Sequence, residues 1–179
     1  TWTGVMNLDG DLLVAGGAKL IINAGTTINV PADKNIQIQG SICAGDSSCG
    51  ASQASTGSPI RFIWGSAAAP APNQTGRCYV TGVFNPDMSC GSGIYLASTI
   101  DQSLTKMNHV TLDGAYGIPV DIDGQGTIKY GAMIFDGASL SVTNPTFIDI
   151  NTTNVLAFDG ASPTLDGGTF VVGTDGQGY

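Results

Sequence analysis

The sequence predicts an all-β chain wound as a solenoid of short parallel strands, and three observations carry that prediction. A phrase returns at constant spacing: LDGAYG from Leu112, FDGASL from Phe135 and FDGASP from Phe158, each 23 residues after the one before. The runs between turn signals are short, aliphatic or β-branched, and closed by Gly, Asn or Pro, as in DLLVAGG, KLIINAG, TTINV and NIQIQG. Such runs read as strands. No 11-residue window holds a convincing stripe of apolar residues at i, i+3, i+4 and i+7, so nothing reads as an amphipathic helix.

The repeat comes first because a fixed period of 20 to 50 residues dictates architecture. A step of 23 aligns Leu112, Phe135 and Phe158, and likewise Val110, Met133 and Leu156. It sets Val142 over Leu165 and Thr146–Phe147–Ile148 over Thr169–Phe170–Val171. Nearer the start it pairs Leu13 with Ile36, Ala15 with Ile38 and Gly17 with Gly40. Parallel neighbours need a crossover of a dozen or more residues. A coil of about 23 residues supplies that path by passing once round an axis through further strands, so successive coils stack at the parallel spacing of roughly 4.8 Å. Leu112, Phe135 and Phe158 are then expected in one inward column. The Asp-Gly after each is expected to turn the chain, because Gly tolerates positive φ and Asp bonds its own backbone.

Two stretches break the rhythm and read as loop excursions from a single domain spanning residues 1–179, one over 43–58 and one over 65–92. Each holds two cysteines, Cys43 with Cys49 and Cys78 with Cys90. Neither pair has C-x-x-C spacing, and one histidine does not complete a zinc site of the usual kind. Two local disulfides are the expectation, with a crossed pairing or free thiols as the alternatives. Disulfides imply an oxidising compartment. The sequons at Asn73 and Asn151 are glycosylation candidates in that setting.

The stretches GDLLVAGGAKLIINAGTTINV, GSICAGDSS, GSPIRFIWGS, GSGIYL and SLTKMNHVTLDGA together resemble the right-handed parallel β-helix repeats of secreted and cell-surface proteins. The resemblance covers most of residues 8–170 and implies the fold that pectate lyases and tailspikes also use. It says little about activity, because that scaffold hosts many functions. None of the lyase or galacturonase motifs can be carried over, there being no Asp-Asp pair and no Gly-His-Gly.

Composition excludes several classes. Six basic residues stand against 14 acidic ones, a net charge of −8. Nucleic-acid affinity rests on Lys and Arg against phosphates, so no nucleic-acid partner is expected. An anionic polysaccharide is also repelled on average. No run of about 18 apolar residues appears, so no direct membrane insertion is expected. The start TWTGVMNLDG lacks a starting Met and a charged leader and reads as a mature or excised piece. The end VVGTDGQGY shows no evident cap, which suggests neighbouring domains or stacked subunits.

Candidate chemistry is sparse. In register, Asp113, Asp136 and Asp159 stand about 4.8 Å apart. Their repetition is explained by turn formation, with a shared Ca²⁺ as the cofactor alternative and catalysis behind it. Asp9 with Asp11, and Asp121 with Asp123, read as solvated strand faces. His109 reads as a packing residue and Lys106 over Lys129 as exposed charges. Thr146 over Thr169 is too short a ladder for ice binding. The expected function is a non-catalytic adhesion, recognition or assembly module of a larger surface or pilus-associated protein, secreted or displayed on a cell. The partners expected are a polysaccharide or a surface protein, held by Arg77, Tyr79 and Phe84 on the second excursion. A polysaccharide hydrolase or lyase and a structural spacer or filament subunit are the competing classes.

Overall fold

The structure, a computed structural model, describes residues 1–65, 79–80, 83–84, 91–122 and 128–171, with the backbone alone at 79–80, 83–84 and 128. In chain order the strands are β1 (Val5–Asn7), β2 (Leu12–Val14), β3 (Lys19–Ile22), β4 (Thr27–Val30), β5 (Asn35–Ile38), β6 (Ser41–Ala44) and β7 (Ile60–Trp64). Next come β8 (Tyr79–Val80), β9 (Val83–Phe84), β10 (Gly93–Leu96), β11 (Lys106–Asn108), β12 (Val110–Asp113), β13 (Ile118–Asp121) and β14 (Ile128–Asp136). The last are β15 (Ser141–Thr143), β16 (Thr146–Ile148), β17 (Thr153–Phe158), β18 (Thr164–Asp166) and β19 (Thr169–Val171). Among the described residues the helical element is one 3-10 turn, Ser47–Cys49.

The strands form three mostly parallel sheets. Sheet 1 runs β1-β4-β7-β12-β16-β19, sheet 2 holds β2, β5, β10, β14 and β17 with β13 antiparallel to β14, and sheet 3 runs β3-β6-β11-β15-β18. The chain therefore visits sheets 1, 2 and 3 in one cyclic order, circuit after circuit. The expected all-β class and parallel pairing are present.

The spacing holds at both ends and fails in the middle. Val5 pairs with Thr27, Leu12 with Ile36 and Lys19 with Ser41, steps of 22 to 24 residues. Met133 pairs with Val155, Val142 with Leu165 and Thr146 with Thr169, steps of 22 or 23. Between them Arg61 pairs with Thr111 and Thr111 with Thr146, 50 and 35 residues on. The excess is taken up at corners. One insertion follows β6, a second lies between β7 and β10, and a third, the hairpin of β13 with the first half of β14, was not anticipated.

That third insertion overturns the predicted column. Leu112 lies in sheet 1, paired with Phe62 and Phe147, while Phe135 lies in sheet 2, paired with Leu96 and Ala157. Phe158 is beside Asp136, one position out of step with Phe135. Phe135 is in the main core and Phe158 packs against a separate cluster on the outside of sheet 2. The N-terminal alignment was also one residue out: Leu12, not Leu13, faces Ile36. Lys106 and Lys129 do not stack, since Lys106 pairs with Cys43 and Lys129 with Val120. The turn reading of Asp-Gly holds, because Gly114, Gly137 and Gly160 all have positive φ, at 75°, 61° and 78°.

The first excursion is pinned as expected. Cys43 and Cys49 form a disulfide, with Cα atoms 5.7 Å apart. Asp46 caps the 3-10 turn by accepting from the Ser48 N–H at 2.8 Å, and the Lys19 ammonium donates to the Cys49 carbonyl at 2.7 Å. Because β6 extends through Ala44, the excursion begins at Gly45 rather than at residue 43. Cys78 and Cys90 lie outside the described residues.

The core is the space enclosed by the three sheets. Its inward columns match like with like, as in Met6–Ile28–Phe62–Leu112–Phe147–Phe170 in sheet 1 and Ile36–Ile94–Met133–Val155 in sheet 2. Phe62, Leu112 and Met133 are wholly buried. Phe170 stacks on Phe147 with ring centroids 5.2 Å apart yet remains 53% exposed, since among the described residues β19 is the edge strand of sheet 1. The position in the column therefore sets the cost of truncation. Phe62→Ala is expected to lower stability by about 3–5 kcal/mol, and Phe170→Ala by well under half as much, in urea unfolding monitored by circular dichroism.

Candidate functional site

The outer faces of the three sheets differ in what covers them. On sheet 2, Tyr95, Ala97 and Ile134 are packed under Ile118 and Val120 of β13. On sheet 3, the outward Cys43 is buried and tied into the disulfide loop. On sheet 1 a cleft of about 270 Å³ lies on the outer face.

The cleft is built from two outward columns. Arg61, Thr111, Thr146 and Thr169 are Cα partners in successive strands of sheet 1. Beside them stand His109, Asn144 and Gly167, the residues at which the chain bends from sheet 3 into sheet 1. All three take left-handed backbone, with φ of 50°, 49° and 72°. Asn, His and Gly tolerate that conformation better than β-branched residues do. The bends are held by the ladder, since the His109 N–H donates to the Thr143 carbonyl at 2.9 Å and the Ile60 N–H to the His109 carbonyl at 3.0 Å. Gly167 is required for a second reason. A Cβ there would come within 2.2 Å of Asn144 Oδ1, so the amide lies directly against it. Pro59 and Ile148 supply the apolar part of the lining.

The polar groups of the cleft are largely uncommitted. Among the described residues Arg61 has no ion pair or side-chain hydrogen bond, and the hydroxyls of Thr111, Thr146 and Thr169 have no protein partner. Thr111 as a whole is only 5% exposed, yet the buried side-chain atoms left without a partner among the described residues are Asn35 Nδ2 and Gln37 Oε1, so its hydroxyl still reaches the cleft. His109 Nδ1 lies 2.9 Å from Asn108 Oδ1. An amide oxygen only accepts, so Nδ1 is the donor of this pair. Sequence reading had taken His109 as a packing residue and the threonines as too short a ladder. The bend provides the missing signal. HVTL, NPTF and GGTF place Thr111, Thr146 and Thr169 two residues after a bend residue in each case.

The other expected site residues are dispersed. Asp113 ends a strand of sheet 1, whereas Asp136 and Asp159 are at strand ends in sheet 2. The expected column of three carboxylates does not form, and among the described residues no group of three or more His, Cys, Asp or Glu side chains can hold a metal ion. Arg77, Asn73 and Asp123 lie outside the described residues. Tyr79 and Phe84 are backbone partners in the β8–β9 hairpin. Asn151 is exposed. No protein-family model matches the chain, and no curated protein or solved structure matches it either.

Two carboxyls are perturbed. Asp113 is held above the ordinary carboxylate value, first by burial and then by Asp149, with Arg61 opposing. Asp136 is also raised. Burial leads, Asp159 adds to it, and the hydrogen bond donated by the Tyr95 hydroxyl works against it. A raised carboxyl means that the folded state binds the proton more tightly than the unfolded chain. Stability then falls as pH climbs from the ordinary value of 3.8 through the raised one, and the penalty persists above it. Asp136→Asn keeps an acceptor for Tyr95 and removes the penalty. Its melting temperature is expected to exceed that of the parent chain at pH 7 and to match it near pH 3. Equal melting temperatures at pH 7 would show that burial of Asp136 carries no cost.

Proposed function

We propose that the chain is a right-handed parallel β-helix that acts outside the cell as a non-catalytic recognition or assembly module of a larger surface protein, with a polysaccharide or a surface protein as its ligand. The observation that carries this reading is the cleft on sheet 1, where an unpaired guanidinium and a ladder of unpartnered hydroxyls stand on a rigid stack of strands. Uncommitted polar groups converging in a concave site are what a ligand needs for orientation. The Cys43–Cys49 disulfide supports an oxidising compartment. The cyclic order of the three sheets supports the β-helix.

Catalysis is the weaker reading at this site. A glycosidase needs two carboxyl groups flanking the bond to be cut, and none of the described residues lining the cleft is acidic. A spacer or filament subunit draws support from the exposed apolar end of the stack, Phe170 at 53% and Val171 at 46%. That end is compatible with recognition on the side of the stack.

The test is a binding screen of the purified chain against immobilised glycans and cell-surface proteins, with Arg61→Ala in parallel. Wild type is expected to retain a ligand that Arg61→Ala binds at least about tenfold more weakly, a loss of about 1.4 kcal/mol, and the ligand is recovered intact. Equal retention by Arg61→Ala, or release of shortened oligosaccharides, would contradict the proposal.

A further inference from the structure

We infer that the cleft on sheet 1 takes a neutral, hydroxyl-rich chain, an uncharged oligosaccharide laid along the stacking direction across the strands that carry Arg61, Thr111, Thr146 and Thr169. The inference rests on the recognition reading above and narrows it to one chemistry.

Four features of the cleft select that chemistry. The first is its mixture of donors and acceptors. Arg61 can only donate, a threonine hydroxyl donates once and accepts twice, and the Asn144 amide offers both a donor and an acceptor. A sugar hydroxyl answers all three kinds of group. A carboxylate or sulfate accepts only, and it leaves the accepting oxygens of the threonines and Asn144 unanswered. The second is charge. Arg61 lies close enough to Asp113 to oppose the rise in that carboxyl, and Asp149 is beside Asp113. The lone guanidinium is therefore offset locally, on a chain of net charge −8. Such a field does not gather anions.

The third feature is repetition. Thr111, Thr146 and Thr169 present the same side chain from successive strands at roughly 4.8 Å. A polymer with a hydroxyl-bearing repeat meets such a ladder more than once, whereas a single small molecule meets it once. The cleft volume of about 270 Å³ falls just below the ~300–1,000 Å³ of pockets that enclose a drug-sized ligand. That suits a chain lying across the face. The fourth is the apolar lining. Pro59 and Ile148 offer aliphatic surface for the C–H faces of a sugar ring, and none of the described residues lining the cleft is Trp, Tyr or Phe. Buried aromatic anchors dominate protein interfaces, so a protein ligand is the less favoured occupant.

Thr111 makes the inference sharp, because the residue is nearly buried while its hydroxyl still opens on the cleft. A ligand that covers this hydroxyl displaces the water that reaches it, and must supply a hydrogen bond in its place or leave the group unsatisfied at a cost of about 1–3 kcal/mol. Removing the hydroxyl should therefore weaken binding while leaving the fold intact, since Val has the same shape and is at home in strands.

The experiment titrates the full chain by calorimetry with neutral gluco-, manno-, galacto- and xylo-oligosaccharides, and in parallel with an oligouronate and a sulfated oligosaccharide. The parent, the double variant Thr111→Val/Thr146→Val, and the hydroxyl-retaining Thr146→Ser are compared, with melting temperatures measured for each. At least one neutral series is expected to bind, with an affinity that is flat in salt between roughly 50 and 500 mM. The double variant is expected to lose about tenfold or more in affinity without a drop in melting temperature, and Thr146→Ser to bind like the parent. Two outcomes would overturn the inference and leave the recognition reading standing. One is salt-sensitive binding of the acidic oligomers alone. The other is a protein ligand that depends on Arg61 while no glycan binds. If no ligand of any class depends on Arg61, both fall together.

Discussion

Everything in this molecule depends on keeping parallel strands in register while the chain winds through three sheets. A one-residue slip in a strand sends its whole apolar set to the opposite face. Register is therefore strongly fixed wherever one face is the core, as along Met6–Ile28–Phe62–Leu112–Phe147–Phe170. The constraint explains where extra residues are tolerated. Steps between paired parallel strands range from 22 residues, Val5 to Thr27, to 63, Cys43 to Lys106, yet the columns continue unbroken. Insertions enter only at corners. Their backbone can leave the ladder there without orphaning the hydrogen bonds of a strand.

The same register organises the outside. Because strands alternate faces, an in-register core implies in-register outer columns. On sheet 2 that outer face is covered by β13 and forms a second apolar cluster. On sheet 3 the disulfide loop lies over Cys43. On sheet 1 the outer column is where Arg61 and three threonines meet. The left-handed bends at His109, Asn144 and Gly167 do two jobs. They turn the chain between sheets, and they bring a second set of polar groups to the edge of the cleft.

Much of the scaffold was legible in the sequence, and the reasons for the misreadings are physical. Short β-branched runs punctuated by Gly and Asn gave the strands, and the stretch 142–171 gave a true 23-residue step, because no insertion interrupts it. The step from Leu112 to Phe135 had the same length by coincidence. It joins the end of a strand in sheet 1 to the end of a strand in sheet 2, across the β13 hairpin. Asp-Gly marked bends faithfully, but bends occur at every corner, so the phrase could not say which corner. NIQIQG read as a short strand, which it is, but the reading did not extend to its polar residues. Asn35 and Gln37 are only 0% and 1% exposed, on the outer side of a strand whose inward residues are Ile36 and Ile38. The cleft was missed for the same reason as the hairpin. Its column joins residues 50 and 35 positions apart, which no fixed period connects.

The most direct test of the account is a set of nuclear Overhauser contacts among Thr111, Thr146 and Thr169 in the isotopically labelled protein, because these residues belong at once to the register and to the site. The structure predicts side-chain contacts from Thr111 to Thr146 and from Thr146 to Thr169, with Leu112 near Phe147 and Phe62. Contacts that instead place Leu112 beside Phe135, at the constant 23-residue step, would contradict it, for the cleft and its ladder of hydroxyls would then not exist.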